Sequence, residues 1–139
     1  MDLNAYERLK QLREQISGQE KKIRDKKARR ARLYSLLTSG TALITGEPGG
    51  GHHGPDEKLV NLAAMDEEIR DDVDALAGLQ REAAALCCRA GEGPMQRVLT
   101  LRYVDALGWG QIRRKMHYSE RGIFYLHERA VRAVEESLQ

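Results

Sequence analysis

The stretch Ser119-Glu-Arg-Gly-Ile-Phe-Tyr125 brings together the side-chain types that read base-pair edges. Ser119 carries a hydroxyl that can cap a helix by accepting from its first unpaired N–H groups, and Glu120 and Arg121 then fall in the first turn. An α-helix fits the major groove of duplex DNA, with the residues near its N-terminus closest to the bases. Arg121 can meet guanine O6 and N7 with paired hydrogen bonds, and Glu120 can accept from cytosine N4. Phe124 or Tyr125 can pack on a thymine methyl or reach a phosphate. Gly122 keeps the helix surface low beside them. Arg113-Arg114-Lys115 just upstream, with Arg129 and Arg132 further on, supply cations for phosphates. Such a cationic run alone reads more readily as a solvated helix face, and it gains meaning only from the glycine-aromatic turn and helix start beside it.

Short helices must position these residues. Pro94 suits the first turn of a helix through Met95, Val98, Leu99, Leu101, Arg102, Tyr103 and Leu107, with Gly108 as its stop. Trp109 to Met116 spans about two turns, with Trp109, Ile112 and Met116 on one face. His117-Tyr118 forms a tight turn, and the helix opened by Ser119 runs to about Ser137, burying Ile123, Leu126, Ala130, Val131 and Val134. A short helix, a turn and a longer helix make a helix-turn-helix. Trp109, Tyr103 and Tyr118 are expected in its core rather than stacked on bases.

Val98-Leu-Thr-Leu-Arg-Tyr-Val-Asp-Ala-Leu-Gly-Trp-Gly-Gln-Ile112 resembles the start of region four of bacterial sigma factors. In those proteins an Leu-Arg-Tyr stretch and a glycine-aromatic turn precede a serine-capped recognition helix. His117-Tyr118-Ser119 followed by Ile123-Phe-Tyr-Leu-His127 is similar to phage proteins that use this module, the sigma-region-four-like, ArpU-like transcriptional regulators. The resemblance covers about residues 94–136 and is loose over 1–90, although several of those proteins also carry a long helical segment and a Gly- or Pro-containing linker. It implies promoter-type DNA recognition and control of phage or prophage genes. By motif position it places Ser119, Glu120, Arg121, Phe124 and Tyr125 at the DNA, with Arg129 on the phosphate side. The chain departs from sigma factors in having no aromatic-rich stretch for melting DNA: only 5% of its residues are aromatic. An accessory regulator is therefore expected rather than a complete sigma factor.

The rest of the chain reads as two long helices. From Asn4 to about Thr38, Leu9, Leu12, Ile16, Ile23, Leu33 and Leu37 follow alternating steps of three and four, interrupted by Gln19, Lys26 and Arg30, with Asn4 or Asp2 as cap. From Asp56, an N-cap candidate after Pro55, the seam continues with Leu59, Leu62, Ile69, Val73, Leu76, Ala83 and Cys87, broken at Asp66 and Gln80. Gly91, Gly93 and Pro94 end it near residue 90. Between the helices, Gly46 to Pro55 holds five glycines and two prolines, a composition no regular element tolerates. Residues 1–38 hold 11 Lys and Arg against 5 Asp and Glu; 39–93 hold 4 against 11; 95–139 hold 8 against 5. A basic helix and an acidic helix can fold back on each other as an antiparallel pair, with charge selecting the partner. A pair alone makes a thin core, so hairpins are expected to pair further into a four-helix dimer, the alternative being a monomeric hairpin resting on the C-terminal helices.

The fold expected is all-α: a long antiparallel coiled-coil hairpin over 1–90 followed by a helix-turn-helix over 94–139. Duplex DNA is the expected partner, with a homo-oligomer formed through the coiled coil. Alternatives are a module that contacts RNA polymerase, or a packaging protein of the small-terminase kind. No cofactor and no enzymatic activity are expected, because no nucleophile, base and orienting group recur in a recognisable spacing. Cys87 and Cys88 are adjacent, which disfavours a bridge between them, and they read as small helix residues. His52-His53 in the glycine loop lacks metal-site spacing, and Asp66 to Asp74 lacks that of a calcium loop. His127 reads as a packing or phosphate-contacting residue. With no apolar run of membrane-spanning length and no apolar stretch in the first ten residues, the protein is expected in the cytoplasm of a bacterial host.

Overall fold

A computed structural model of the chain describes residues 4–39 and 55–139. The glycine-rich loop over 46–54, with His52 and His53, and the alternative cap Asp2 lie outside the described residues. All regular structure among those described is helical: α1 (Ala5–Thr38), α2 (Pro55–Cys88), α3 (Pro94–Leu99), α4 (Trp109–Met116) and α5 (Glu120–Ser137). None of these helices is long and apolar enough to cross a membrane. Asn4 caps α1, its side-chain oxygen accepting from Glu7 N at 2.8 Å. α2 starts at Pro55, one residue before the expected Asp56, as suits a proline whose missing N–H costs nothing in the first turn.

The chain divides into two compact units, Gln19–Ala75 and Met1–Gly18 together with Leu76–Gln139. In Gln19–Ala75 the helices run antiparallel. Gln19 donates to the Asp72 carbonyl at 2.9 Å, Lys26 Nζ meets Asp72 at 2.6 Å and Glu68 at 3.8 Å, and Arg30 pairs with Asp66. Partners in α2 thus step backward as α1 advances. The polar residues that interrupt the α1 seam therefore still face inward, alongside Ile23, Leu33 and Leu37. On α2 the phase differs from expectation. Leu59 and Val73 are exposed, at 56% and 42%, and Asp72 takes the inward position with a side chain only 12% exposed. The reason is the heptad: Asp72 lies seven residues from both Met65 and Leu79, on the row that faces the partner helix. A carboxylate holds that position because Lys26 and Lys22 meet it. Its hydrogen bond with Lys26, then the charges of Lys22 and Lys26, hold its pKa below the ordinary 3.8.

In the other unit, Leu12, Ile16 and Ala83 are fully buried with Leu76, Leu79, Leu86, Val104 and Ala106 against them. Ala5 and Leu9 join Cys87, Val98, Leu99, Tyr103, Ile112, Ile123, Leu126, Ala130 and Val134 in a single cluster. α3 packs chiefly on α5. Gly91 and Gly93, with φ of 86° and 105°, make the turn out of α2 that a side chain would resist. α3 continues from Thr100 to Val104 as a wider π-helical turn, in which Asp105 N reaches the Thr100 carbonyl at 3.0 Å. This segment corrects the expected helix through Leu107. Ala106 sits in the left-handed region at φ 57°, and Leu107 N closes back on the Leu101 carbonyl at 3.0 Å. Gly108 then opens α4 rather than ending α3, its N–H donating to Gln111 Oε1 at 3.2 Å.

Leu9→Ala should lower unfolding free energy by about 2–5 kcal/mol, since truncating a fully buried side chain loses its apolar burial and leaves a cavity. Because the same cluster holds Ile112 and Ile123, the near-ultraviolet signal of Trp109 should melt in the same transition as helical circular dichroism. Asp72 is expected to stabilise the Gln19–Ala75 pairing fully above the ordinary carboxylate range, and progressively less as pH falls through its lowered folded value. Denaturant midpoints in acid should show a steeper loss for the natural chain than for Asp72→Asn; matching slopes would remove Asp72 from that role.

Candidate nucleic-acid interface

The face in question is set up by a local cap. Ser119 precedes α5 in an extended conformation, and its Oγ accepts from Gly122 N at 3.0 Å. A Cβ on Gly122 would stand 3.0 Å from that oxygen and 3.5 Å from Tyr118 Cδ2, so the glycine is explained by closeness to its own cap. His117 ends α4 in the left-handed conformation at φ 60°, and Tyr118 N returns to the Arg113 carbonyl at 3.2 Å. A three-residue connection, 117–119, thus joins an eight-residue helix to an 18-residue one.

α5 has two distinct faces. Ile123, Leu126, His127, Ala130 and Val134 are buried. Glu120, Arg121, Phe124, Tyr125, Arg129 and Arg132 are exposed, Tyr125 by 64% and Phe124 by 42%. Of these side chains, Arg129 lies over the Tyr125 ring with its guanidinium carbon 5.8 Å from the centroid, and Arg132 is tied to Glu128 at 3.1 Å. Arg114 and Lys115 of α4 are exposed, whereas Arg113 is half-buried with its Nε lacking a hydrogen-bond partner. Tyr103 is buried, and Trp109 and Tyr118 are half-buried against the same core.

Beneath the face lies an aromatic cluster. Trp109 meets Phe124 edge-on at 5.0 Å and His127 at 4.9 Å, while Tyr6 meets His127 at 5.8 Å. His127 Nε2 is 2.6 Å from the Tyr103 hydroxyl. Burial, aided by the Arg102 charge, pushes the His127 pKa down to about 4. Burial raises Tyr103 well above its usual range, so both groups are neutral at physiological pH. His127 is therefore a packing residue, and burial takes it away from any phosphate. Arg102, Arg13, Lys10 and Tyr6 also gather near Trp109. Sequence reasoning placed none of them in a functional group, and no local motif could join residues 93 positions apart such as Arg13 and Ala106.

Elsewhere, Cys87 is buried and its thiol is pushed up to about 12 by desolvation, while Cys88 is exposed; both are free. Among the described residues no group of three or more His, Cys, Asp or Glu side chains is placed to hold a metal ion.

Among the described residues the architecture is all-helical, with a long helical hairpin and shorter C-terminal helices. The chain belongs to the family described as "Protein of unknown function (DUF1492)", whose model matches residues 36–135. No curated protein and no solved structure matches it.

Between about pH 6.5 and 4 the unfolded chain takes up a proton on His127 that the folded chain refuses. Stability should therefore decline as pH falls through that window and level off, for this group, below it. His127→Gln, which keeps a hydrogen-bonding atom for Tyr103 and cannot titrate, should flatten that part of the profile. An unchanged slope in thermal melts would contradict the neutral, buried imidazole.

Proposed function

We propose that the chain is a sequence-specific DNA-binding regulator of the sigma-region-four-like kind, with α5 entering the major groove by its N-terminal turns. The observation that carries this reading is the exposure of Arg121, Phe124 and Tyr125 on the first two turns of a helix whose opposite face is fully packed. Large exposed aromatics beside a cation are costly in water and suit a surface that meets a partner. A short helix and a three-residue connection before α5 match the spacing by which such helices are presented to DNA. Arg114 and Lys115 can lie along the phosphates, as can Arg129. Arg132 contributes less, because Glu128 competes for its charge. Arg113 is half-buried, and reaches phosphate only at the edge of the surface.

The proposal includes homo-oligomerisation through the hairpin. In the Gln19–Ala75 unit Tyr34, Leu36, Leu59, Val60 and Val73 are exposed, more large apolar side chains than a solvated helix pair needs. Dimerisation would double the phosphate contacts of a C-terminal segment that carries only a modest positive balance.

Selection of bound duplexes from a random library, followed by anisotropy titration of the enriched site, is the test. Arg121→Ala should weaken binding to that site by about 1–3 kcal/mol while changing binding to random duplex little, as removal of one paired base contact does. Absence of any enriched site, or equal loss on both duplexes, would sink base reading by Arg121.

A further inference from the structure

Apart from the exposed face of α5, the Met1–Gly18 and Leu76–Gln139 unit contains a cavity of about 180 Å³ in which cations converge. Arg13 Nη2 donates to the carbonyls of Ala106 at 3.3 Å and Leu107 at 3.4 Å. Arg102 Nη1 donates to the same Leu107 carbonyl at 3.1 Å. Two guanidiniums are thereby fixed side by side on one oxygen, against the repulsion of their like charges. Lys10 adds a third cation, its ammonium 4.4 Å above the Tyr6 ring. Among the described residues none of these three is paired with a carboxylate. Glu14 lines the same cavity, so three positive charges face one negative charge. Arg13 Nε is buried with no acceptor. Arg102 is partly desolvated, and its pKa is lowered by that burial and then by Arg13.

Uncompensated guanidiniums clustered at a partly desolvated site are unfavourable unless an anion offsets them. Arginine's fork suits a tetrahedral oxyanion with several acceptor oxygens, and phosphate is the biological group of that shape and charge. We propose that the cavity bounded by Tyr6, Lys10, Arg13, Arg102, Tyr103 and Trp109 is a binding site for a phosphate group. Its size admits a phosphate or a phosphomonoester head and falls short of the volume a drug-sized ligand fills. The phosphate belongs either to a free small molecule or to a nucleic-acid backbone. The Arg102 guanidinium lies 4.5 Å from the Trp109 ring, and Trp109 meets Phe124. Occupancy therefore bears directly on the ring beneath an exposed residue of α5, independently of whether α5 reads DNA.

Trp109 is the chain's one tryptophan and so reports on its own site. The full chain is titrated with inorganic phosphate at constant ionic strength, and separately with a short mixed-sequence duplex, while Trp109 emission is followed. The expected result is a saturable change with phosphate that Arg13→Gln shifts about tenfold or more to higher concentration, the loss of one charge-assisted hydrogen bond. A change with duplex alone, lost equally in Arg13→Gln, assigns the site to backbone phosphate and also supports it. Because Arg13 holds the 106–107 turn, circular dichroism accompanies each titration, and if Arg13→Gln loses helix, Lys10→Gln decides by the same criterion. No response to either probe, or a response that the folded variants leave unchanged, overturns the proposal.

Discussion

Leu9 and Ala5, on the first turns of the chain, are buried in the same cluster as Val98, Leu99, Tyr103, Ile112, Ile123, Leu126, Ala130 and Val134. The short C-terminal helices thus do not enclose a core of their own. A segment of their length buries too small a share of its surface to hold together unaided. What closes the core is the start of α1, with Cys87 from the end of α2. The placement of α4 and α5, and with it the exposed face of α5, depends on residues far away in sequence. A substitution at Leu9 is therefore a change to the support of that face, although the residue is far from it in the chain.

The aromatic cluster below α5 follows from the same closure. Tyr6 arrives with α1, Tyr103 with the π-helical turn after α3, and Trp109 with the start of α4, and all three pack around His127. The imidazole is kept neutral by burial, so the cluster costs no charge desolvation, and the Tyr103 hydroxyl satisfies one ring nitrogen. Arg102 sits at its rim, over Trp109, and also fastens the Leu107 carbonyl. The left-handed Ala106 is held in a conformation that a non-glycine residue adopts only under constraint, and the constraint is visible: Arg13 takes its carbonyl from α1.

Much of this was legible from local chemistry. The three-four spacing of Leu9, Leu12, Ile16 and Ile23 marks the buried stripe of α1, and the Asn4 and Ser119 side chains announce the helices they cap. Two readings failed for physical reasons. The three-four steps through Ile69, Val73 and Leu76 put Val73 on the seam, yet the row that faces inward runs through Met65, Asp72 and Leu79, and lysines on the facing helix make a carboxylate acceptable there. Leu107 looked like the end of a helix because nothing in Val-Asp-Ala-Leu-Gly forbids one. The turn at Ala106 is instead held by Arg13 from another element, which no window of local sequence contains. The cation cluster was invisible for the same reason.

The polar seam of Gln19–Ala75 bears on what the hairpin can pair with. Gln19, Lys26 and Arg30 occupy inward positions where leucine or isoleucine would bury more apolar area. Their acceptors, the Asp72 carbonyl and the carboxylates of Asp72 and Asp66, sit at matching heights on α2. A slip of one heptad in either direction would leave Lys26 without Asp72 and would place a charge against an apolar row. Such a seam gives up stability to fix one register, the best-attested use of polar residues at these positions.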